Sequence, residues 1–118
     1  MKLTELTFEI KYKDFLERYN YNWHDISMHE YLSEEFIEYY KDKLNWNMIS
    51  IYQVLNEQFM DKFKDHINWN MISIYQKLSE SFIEKYKDYV DWRYISIHQK
   101  LSESFIEKYK NKFIYIFQ

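Results

Sequence analysis

The sequence predicts an all-α protein: a short α-solenoid of four 23-residue helix-turn-helix repeats behind an N-terminal capping helix. Three observations predict it. Trp23, Trp46, Trp69 and Trp92 stand 23 residues apart without exception. In step with them run Ile26, Ile49, Ile72 and Ile95, then Ser27, Ser50, Ser73 and Ser96, then Leu32, Leu55, Leu78 and Leu101, then Phe36, Phe59, Phe82 and Phe105. Each period also carries two helix-start signals, so the repeating object is a pair of short helices.

Residues 1–21 lie outside this register. Tyr12, Phe15, Leu16 and Tyr19 follow i, i+3, i+4, i+7 spacing and predict one amphipathic capping helix. Residues 22–118 form the four repeats and a C-terminal tail, and with the cap make a single domain. In each repeat the first helix starts after Asn22, Asn45, Asn68 or Asp91 and is expected to run about nine residues from the Trp. The second starts after Ser33, Asn56, Ser79 or Ser102, with Glu34, Glu57, Glu80 or Glu103 next in line to favour the helix dipole. Hydrophobic staples flank these caps: Leu55 with Met60 and Leu78 with Ile83 on second helices, Ile67 with Ile72 and Val90 with Ile95 on first helices.

Phe82, Ile83, Tyr86 and Val90 make one apolar stripe on a second helix, while Glu80, Glu84, Lys85, Lys87 and Asp88 face elsewhere. The first helix is apolar over more of its circumference. Helices this short do not persist alone in water, so each pair must stack on a neighbour. The chain has no Gly, and Asn and Asp at the junctions are expected to supply any left-handed residues. The tail "FIYIFQ" extends the last helix or forms a short extended segment, and pairing it with "TFEIKY" near the start is disfavoured.

Composition narrows the function classes. Hydrophobic residues make up 47% and aromatics 22%, enough for a packed core. The formal net charge of −3, with signs interspersed and no basic stripe, gives no nucleic-acid footprint. Without Cys there are no disulfides or thiolate metal sites, and without Gly no phosphate-cradling loop. "MKLTELTFEIKYKD" lacks an apolar signal region and no stretch reaches the length of a membrane span, so a soluble, cytoplasmic protein is expected. Gly, Pro, Cys and Ala are all absent, and Arg occurs only at Arg18 and Arg93. The missing types include those with GC-rich codons, and abundant Lys, Ile, Asn, Tyr and Phe have AT-rich ones, which points to an AT-rich genome.

The third repeat carries the phrase most completely, in Trp69, Ile72, Ser73, Gln76, Leu78, Ser79, Glu80, Phe82, Ile83, Glu84, Lys85, Tyr86, Lys87 and Asp88. This phrase resembles short tandem repeats in proteins of giant DNA viruses of amoebae and of AT-rich phages and bacteria, over roughly residues 22–114. Glu30 at the Gln column and Asn56 at the Ser column depart from it. The resemblance implies a repeat scaffold, favours a viral or mobile-element origin, and implies no shared enzymatic activity.

Catalytic candidates reduce to ordinary surface and packing residues. His24 and His29 are five apart, which misses the spacing that aims two ligands from one helical face. The Ser column reads as a small residue permitting close helix packing, the Trp column as core, and Glu34 with Glu35, or Glu80 with Glu84, as solvated carboxylates. No enzyme, cofactor or metal is expected. What varies between repeats is a pair of columns: Asp25 and His29, Met48 and Tyr52, Met71 and Tyr75, Tyr94 and His98. Each pair is i, i+4 and shares a helical face, and Tyr and Met suit an adaptable protein-binding surface. The same side chains equally suit packing between repeats. Tyr31, Val54, Lys77 and Lys100, with His24, Asn47, Asn70 and Arg93, flank them.

The leading expectation is a non-catalytic protein-binding repeat module, in its sharper form a viral or phage inhibitor docking on a host or defence-system protein. The alternatives are single-stranded nucleic-acid binding through repeated aromatics, which net acidity disfavours, and a structural, self-assembling spacer. The apolar tail also predicts a homodimer.

Overall fold

The computed structural model describes residues 2–29 and 31–113, and the regular structure among them is entirely helical. A long helix α1 (Leu3–Arg18) precedes four helical pairs: α2 (Trp23–Ser27) with α3 (Glu34–Tyr39), α4 (Trp46–Tyr52) with α5 (Glu57–Lys62), α6 (Trp69–Tyr75) with α7 (Glu80–Lys85), and α8 (Trp92–His98) with α9 (Glu103–Lys108). A single turn, α10 (Lys110–Phe113), follows. This is the short helical-repeat solenoid that the periodicity predicts. "TFEIKY" is helical within α1, and Ile114–Gln118 of the tail lie outside the described residues. Two compact units divide the chain, Met1–Gln53 with α1 to α4 and Val54–Gln118 with α5 to α10.

Both sets of caps form. Asn22, Asn45 and Asn68 each accept a backbone N–H three residues on at 3.1 Å, and Asp91 accepts from Arg93 N at 3.0 Å. Ser33, Asn56, Ser79 and Ser102 accept from the N–H of Phe36, Phe59, Phe82 and Phe105 at 2.7–3.2 Å. Such a cap contributes about 1 kcal/mol, a large share of what a two-turn helix needs. All eight staple residues are buried, Met60, Ile72, Ile83 and Ile95 completely.

The helices are shorter than predicted: five to seven residues for the first of each pair and six for the second. The first ends because Gln53, Gln76 and Gln99 turn to extended backbone (ψ 142–148°). The second ends in residues near φ −100°, ψ 19–32° and then a tight turn, as in Lys43 N to Tyr40 O and Tyr89 N to Tyr86 O, both 2.9 Å. That region is open to any residue, so the junctions between repeats need neither Gly nor the left-handed Asn and Asp that were expected. Positive φ occurs, among the described residues, only at Asn20 (52°) and Tyr21 (54°), where α1 turns into the first repeat.

In the unit Met1–Gln53, α1 lies over the first repeat through aromatic rings. Phe8 stacks on Tyr39 with centroids 4.2 Å apart, Tyr12 meets Phe36 edge-on at 4.9 Å, and Leu16 is buried. In the unit Val54–Gln118, α6 packs on α8, and Ile72, Ile83 and Ile95 are fully buried. The Trp rings are half-buried, and in the first, third and fourth repeats they close the repeat on itself: Trp23 lies 5.2 Å from Tyr40, Trp69 4.7 Å from Tyr86, and Trp92 5.2 Å from Tyr109. The indole N–H of Trp46, Trp69 and Trp92 each donates to the carbonyl five residues back, at 2.8–3.0 Å.

Candidate functional site

Repetition sorts the side chains into those spent on holding repeats together and those left over. The Ser column is spent. Ser27 Oγ donates to Trp23 O at 2.6 Å and accepts from Asn45 N at 2.8 Å. Ser73 Oγ donates to Trp69 O at 2.7 Å and accepts from Asp91 N at 3.1 Å, and Ser27, Ser50 and Ser73 are fully buried. The smallness inferred from sequence is therefore half of its role; the hydroxyl also receives the first cap N–H of the next repeat.

The Gln column is spent as well, which the sequence reading missed. Gln99 Oε1 accepts from Leu78 N at 3.0 Å, and its Nε2 donates to Ser73 O and Gln76 O at 2.9 and 2.7 Å. Gln53 Oε1 likewise accepts from Leu32 N at 3.1 Å, while its amide nitrogen reaches Ser27 O at 3.3 Å and the carbonyl of His29. One amide thus satisfies three backbone groups of the preceding repeat, one near the end of its first helix and two just beyond it. The clue in the sequence was the recurrence of Gln at a position that patterning alone leaves polar.

Two carboxylate columns complete the joint. Glu57 accepts from Ser79 N and Ser79 Oγ, both at 2.8 Å. Asp61 accepts from Lys85 Nζ at 2.6 Å and from the Tyr86 hydroxyl. One repeat on, Glu80 accepts from Ser102 N and Oγ at 2.6 and 2.9 Å, and Glu84 from Lys108 and from Tyr109 OH, the latter at 2.5 Å. The hydrogen bonds from Lys85 and then Tyr86 hold the Asp61 carboxyl below the usual carboxylate range, and those from Lys108 and then Tyr109 do the same for Glu84. A general acid needs the opposite shift. Burial first, then the bond to Asp61, pushes the Tyr86 hydroxyl up to about 12.

The variable columns contribute backbone to the architecture and keep their side chains at the surface. Asp25, Met48 and Met71 give their N–H to the first cap. Asp25 is exposed and Met48, Met71 and Tyr94 are half-buried, while Tyr52 and Tyr75 are 49% and 56% exposed and His98 is exposed. In the second unit Met71 and Tyr75 on α6 and Tyr94 and His98 on α8 come from helices packed side by side. The Tyr94 and His98 rings are 6.3 Å apart, and Arg93 lies over Tyr94 at 5.5 Å while its guanidinium bonds Asp91 at 3.2 and 3.4 Å. Burial raises the Asp91 carboxyl, but the Arg93 bonds outweigh it and hold the group low.

His29 stands apart from the rest. It is half-buried under α1, edge-on to Phe15 at 5.2 Å and to Tyr19 at 5.7 Å, so it belongs to the seat of the cap. Beside it an apolar groove of about 330 Å³ runs past Tyr12, Phe15, Leu32 and Phe36 to Tyr31, which is 77% exposed. In the flanking columns Val54 is 98% exposed, and Lys77, Lys100, His24, Asn47, Asn70 and Arg93 are all exposed. Among the described residues no group of three or more His, Asp or Glu is arranged to hold a metal ion, and no helix is long and apolar enough to cross a membrane. Comparison with protein-family models, curated proteins and solved structures finds no match to this chain.

Proposed function

We propose that this chain is a non-catalytic protein-binding module whose working surface is the variable pair of columns. One observation carries the reading. The columns that recur from repeat to repeat are buried or consumed in joints, whereas the columns that change keep Tyr52, Tyr75 and His98 exposed and Met48, Met71 and Tyr94 half-covered. A scaffold that holds its backbone constant while changing exposed and half-covered side chains is suited to recognition, and Tyr and Met adapt well to an apolar partner surface. Asp25, Met48 and Tyr52 would act in the first unit, and Met71, Tyr75, Tyr94 and His98 in the second. His29 acts through its seat under α1.

The partner is a protein rather than a nucleic acid, because the chain is net acidic and Arg93 is already held by Asp91. Exposed Lys77 and Lys100, each two residues after a variable-column side chain (Tyr75 and His98), are what favours the second reading, single-stranded nucleic acid stacked on the aromatics. The sharper form, an inhibitor of a host or defence-system protein, is supported by the AT-rich composition and by the resemblance of the phrase to viral and phage repeats.

The test compares wild type with a Tyr52→Ala, Tyr75→Ala double variant as baits in a native host lysate. Both positions are about half exposed, so the variant is expected to unfold at the wild-type denaturant midpoint while losing its captured protein at least about tenfold. Equal capture by the two baits would overturn the proposed face. Oligonucleotide binding that weakens steeply with salt would move the assignment to nucleic acid.

A further inference from the structure

Every joint in the unit Val54–Gln118 has a direction. The carboxylate columns on the side of a repeat that faces the next one are acceptors: Glu57 and Asp61 receive Ser79, Lys85 and Tyr86, and Glu80 and Glu84 receive Ser102, Lys108 and Tyr109. The side facing the preceding repeat is the donor, set by a Ser cap with Lys and Tyr six and seven residues after it. Apolar residues cover the middle of the acceptor side, where Ile83 is fully buried, and a Ser hydroxyl takes the first N–H of the incoming repeat, as Ser73 does from Asp91.

The last repeat carries the same acceptor set at the same positions: Ser96, Ile97, Glu103, Ile106 and Glu107. Its apolar members are open, with Ile97 67% and Ile106 42% exposed. Glu103 is exposed, Ser96 Oγ donates to Arg93 O at 2.7 Å, and Glu107 pairs with Lys110 at 3.3 Å on its own side of the joint. We infer that this acceptor side is a docking surface for a helical hairpin of the same chemistry, carried by a different protein chain: a Ser or Asn cap, an apolar stripe, and a Lys-Tyr pair six and seven residues beyond the cap.

Continuity with the joints inside the chain is the argument. The surface reproduces, residue for residue, one that is already occupied one repeat earlier, so its complement is known from Ser102, Lys108 and Tyr109. A second copy of this chain is a poor occupant. Its first repeat has Tyr39 where later repeats have Lys, and that Tyr stacks on Phe8 and donates to Glu5 O at 3.4 Å, so α1 covers the donor side. A head-to-tail contact that would otherwise propagate into a filament is thereby stopped at one end. The site uses recurring positions, so it stands or falls independently of the variable columns.

The experiment titrates the full chain with a synthetic peptide of residues 68–90, following binding by calorimetry or by fluorescence anisotropy of a dye on the peptide. A second probe, residues 68–112, supplies two hairpins that steady each other. Saturable binding is expected with a dissociation constant of about 10–100 µM for the better probe. Lys85→Ala with Tyr86→Phe in the shorter probe should weaken it about tenfold, and Ile106→Lys in the protein should abolish binding of both probes while leaving the fold intact. Failure of both probes, or equal binding to Ile106→Lys, overturns the proposal. So does a dimer of the full chain that Ile106→Lys dissolves in sedimentation, which would assign the surface to a second copy.

Discussion

The block "QKLSESFIEKYK" occurs twice, at residues 76–87 and 99–110, and the two copies live in different surroundings. Locally they are the same object. Ser79 and Ser102 cap at φ −76°, ψ 156° and φ −75°, ψ 157°, and both are followed by six helical residues. Both reach back to the preceding repeat through Gln, Ser, Lys and Tyr. Looking forward they differ: Ile83 is fully buried and Tyr86 is 5% exposed, whereas Ile106 is 42% exposed and Tyr109 half-buried. Identical sequence yields identical conformation but not identical energetics, because conformation is set within twelve residues and burial by the repeat that follows.

The largest expected contrast is between Ile83→Ala and Ile106→Ala. Emptying a fully buried Ile removes transfer energy and leaves a cavity, which costs about 2–5 kcal/mol. The same change at a site already 42% exposed is expected to cost less than about 1.5 kcal/mol. Urea unfolding of the two variants, read as midpoints at constant slope, measures the difference directly. Equal losses would mean that the last repeat is covered after all.

Much of this architecture was legible in the sequence because it is written in short-range signals. The eight caps and four staples are matters of spacing within about five residues, the Ile and Phe columns follow from the 23-residue period, and all were found where expected. The Trp column, expected in the core, is only half-buried. The capping helix was legible too, from Tyr12, Phe15, Leu16 and Tyr19, and ring contacts explain why three of those positions are aromatic. The joints were not legible. Gln99 bonds backbone groups 21, 23 and 26 residues away, a span that hydrophobic periodicity does not report. Helix length was misjudged for the same reason, since α4, α6 and α8 each stop where the Gln must turn back. Of the candidate surface, the variable columns could be picked out, but the seat of His29 beneath α1 could not.

A second contrast appears at high pH. Burial, then the bond to Asp61, raises the Tyr86 hydroxyl to about 12 from an ordinary value of 10, so the folded chain holds this proton after the unfolded chain has released it. Its contribution to stability is complete below pH 10 and disappears as the pH climbs through 12. Tyr109 is raised too, but there the bond to Glu84 leads and burial follows. Tyr86→Phe is therefore expected to flatten the alkaline loss of stability more than Tyr109→Phe does. Denaturant midpoints at pH 9 and 11 decide it, and an equal effect would show that the forward neighbour contributes nothing to the shift.

The smallest contrast is also the most local, between Glu80→Gln and Glu103→Gln. Glu80 accepts both the N–H and the hydroxyl of Ser102, at 2.6 and 2.9 Å, and an amide keeps one acceptor oxygen while losing the charge and the second. Bonds of this kind at an exposed site are worth about 0.5–1.5 kcal/mol together. Glu103 occupies the same place on the last repeat but is exposed, so its substitution is expected to stay within about 0.5 kcal/mol of wild type. Both changes also remove one acid from the first turn of a six-residue helix, and that shared dipole effect cancels when the two are compared. Thermal unfolding at low and high salt separates what remains: the Glu80 loss should shrink as salt screens it, and the Glu103 change should be flat. If the 68–90 peptide is present and the acceptor side is a docking surface, Glu103→Gln should begin to behave like Glu80→Gln, because Glu103 then has a Ser cap to receive.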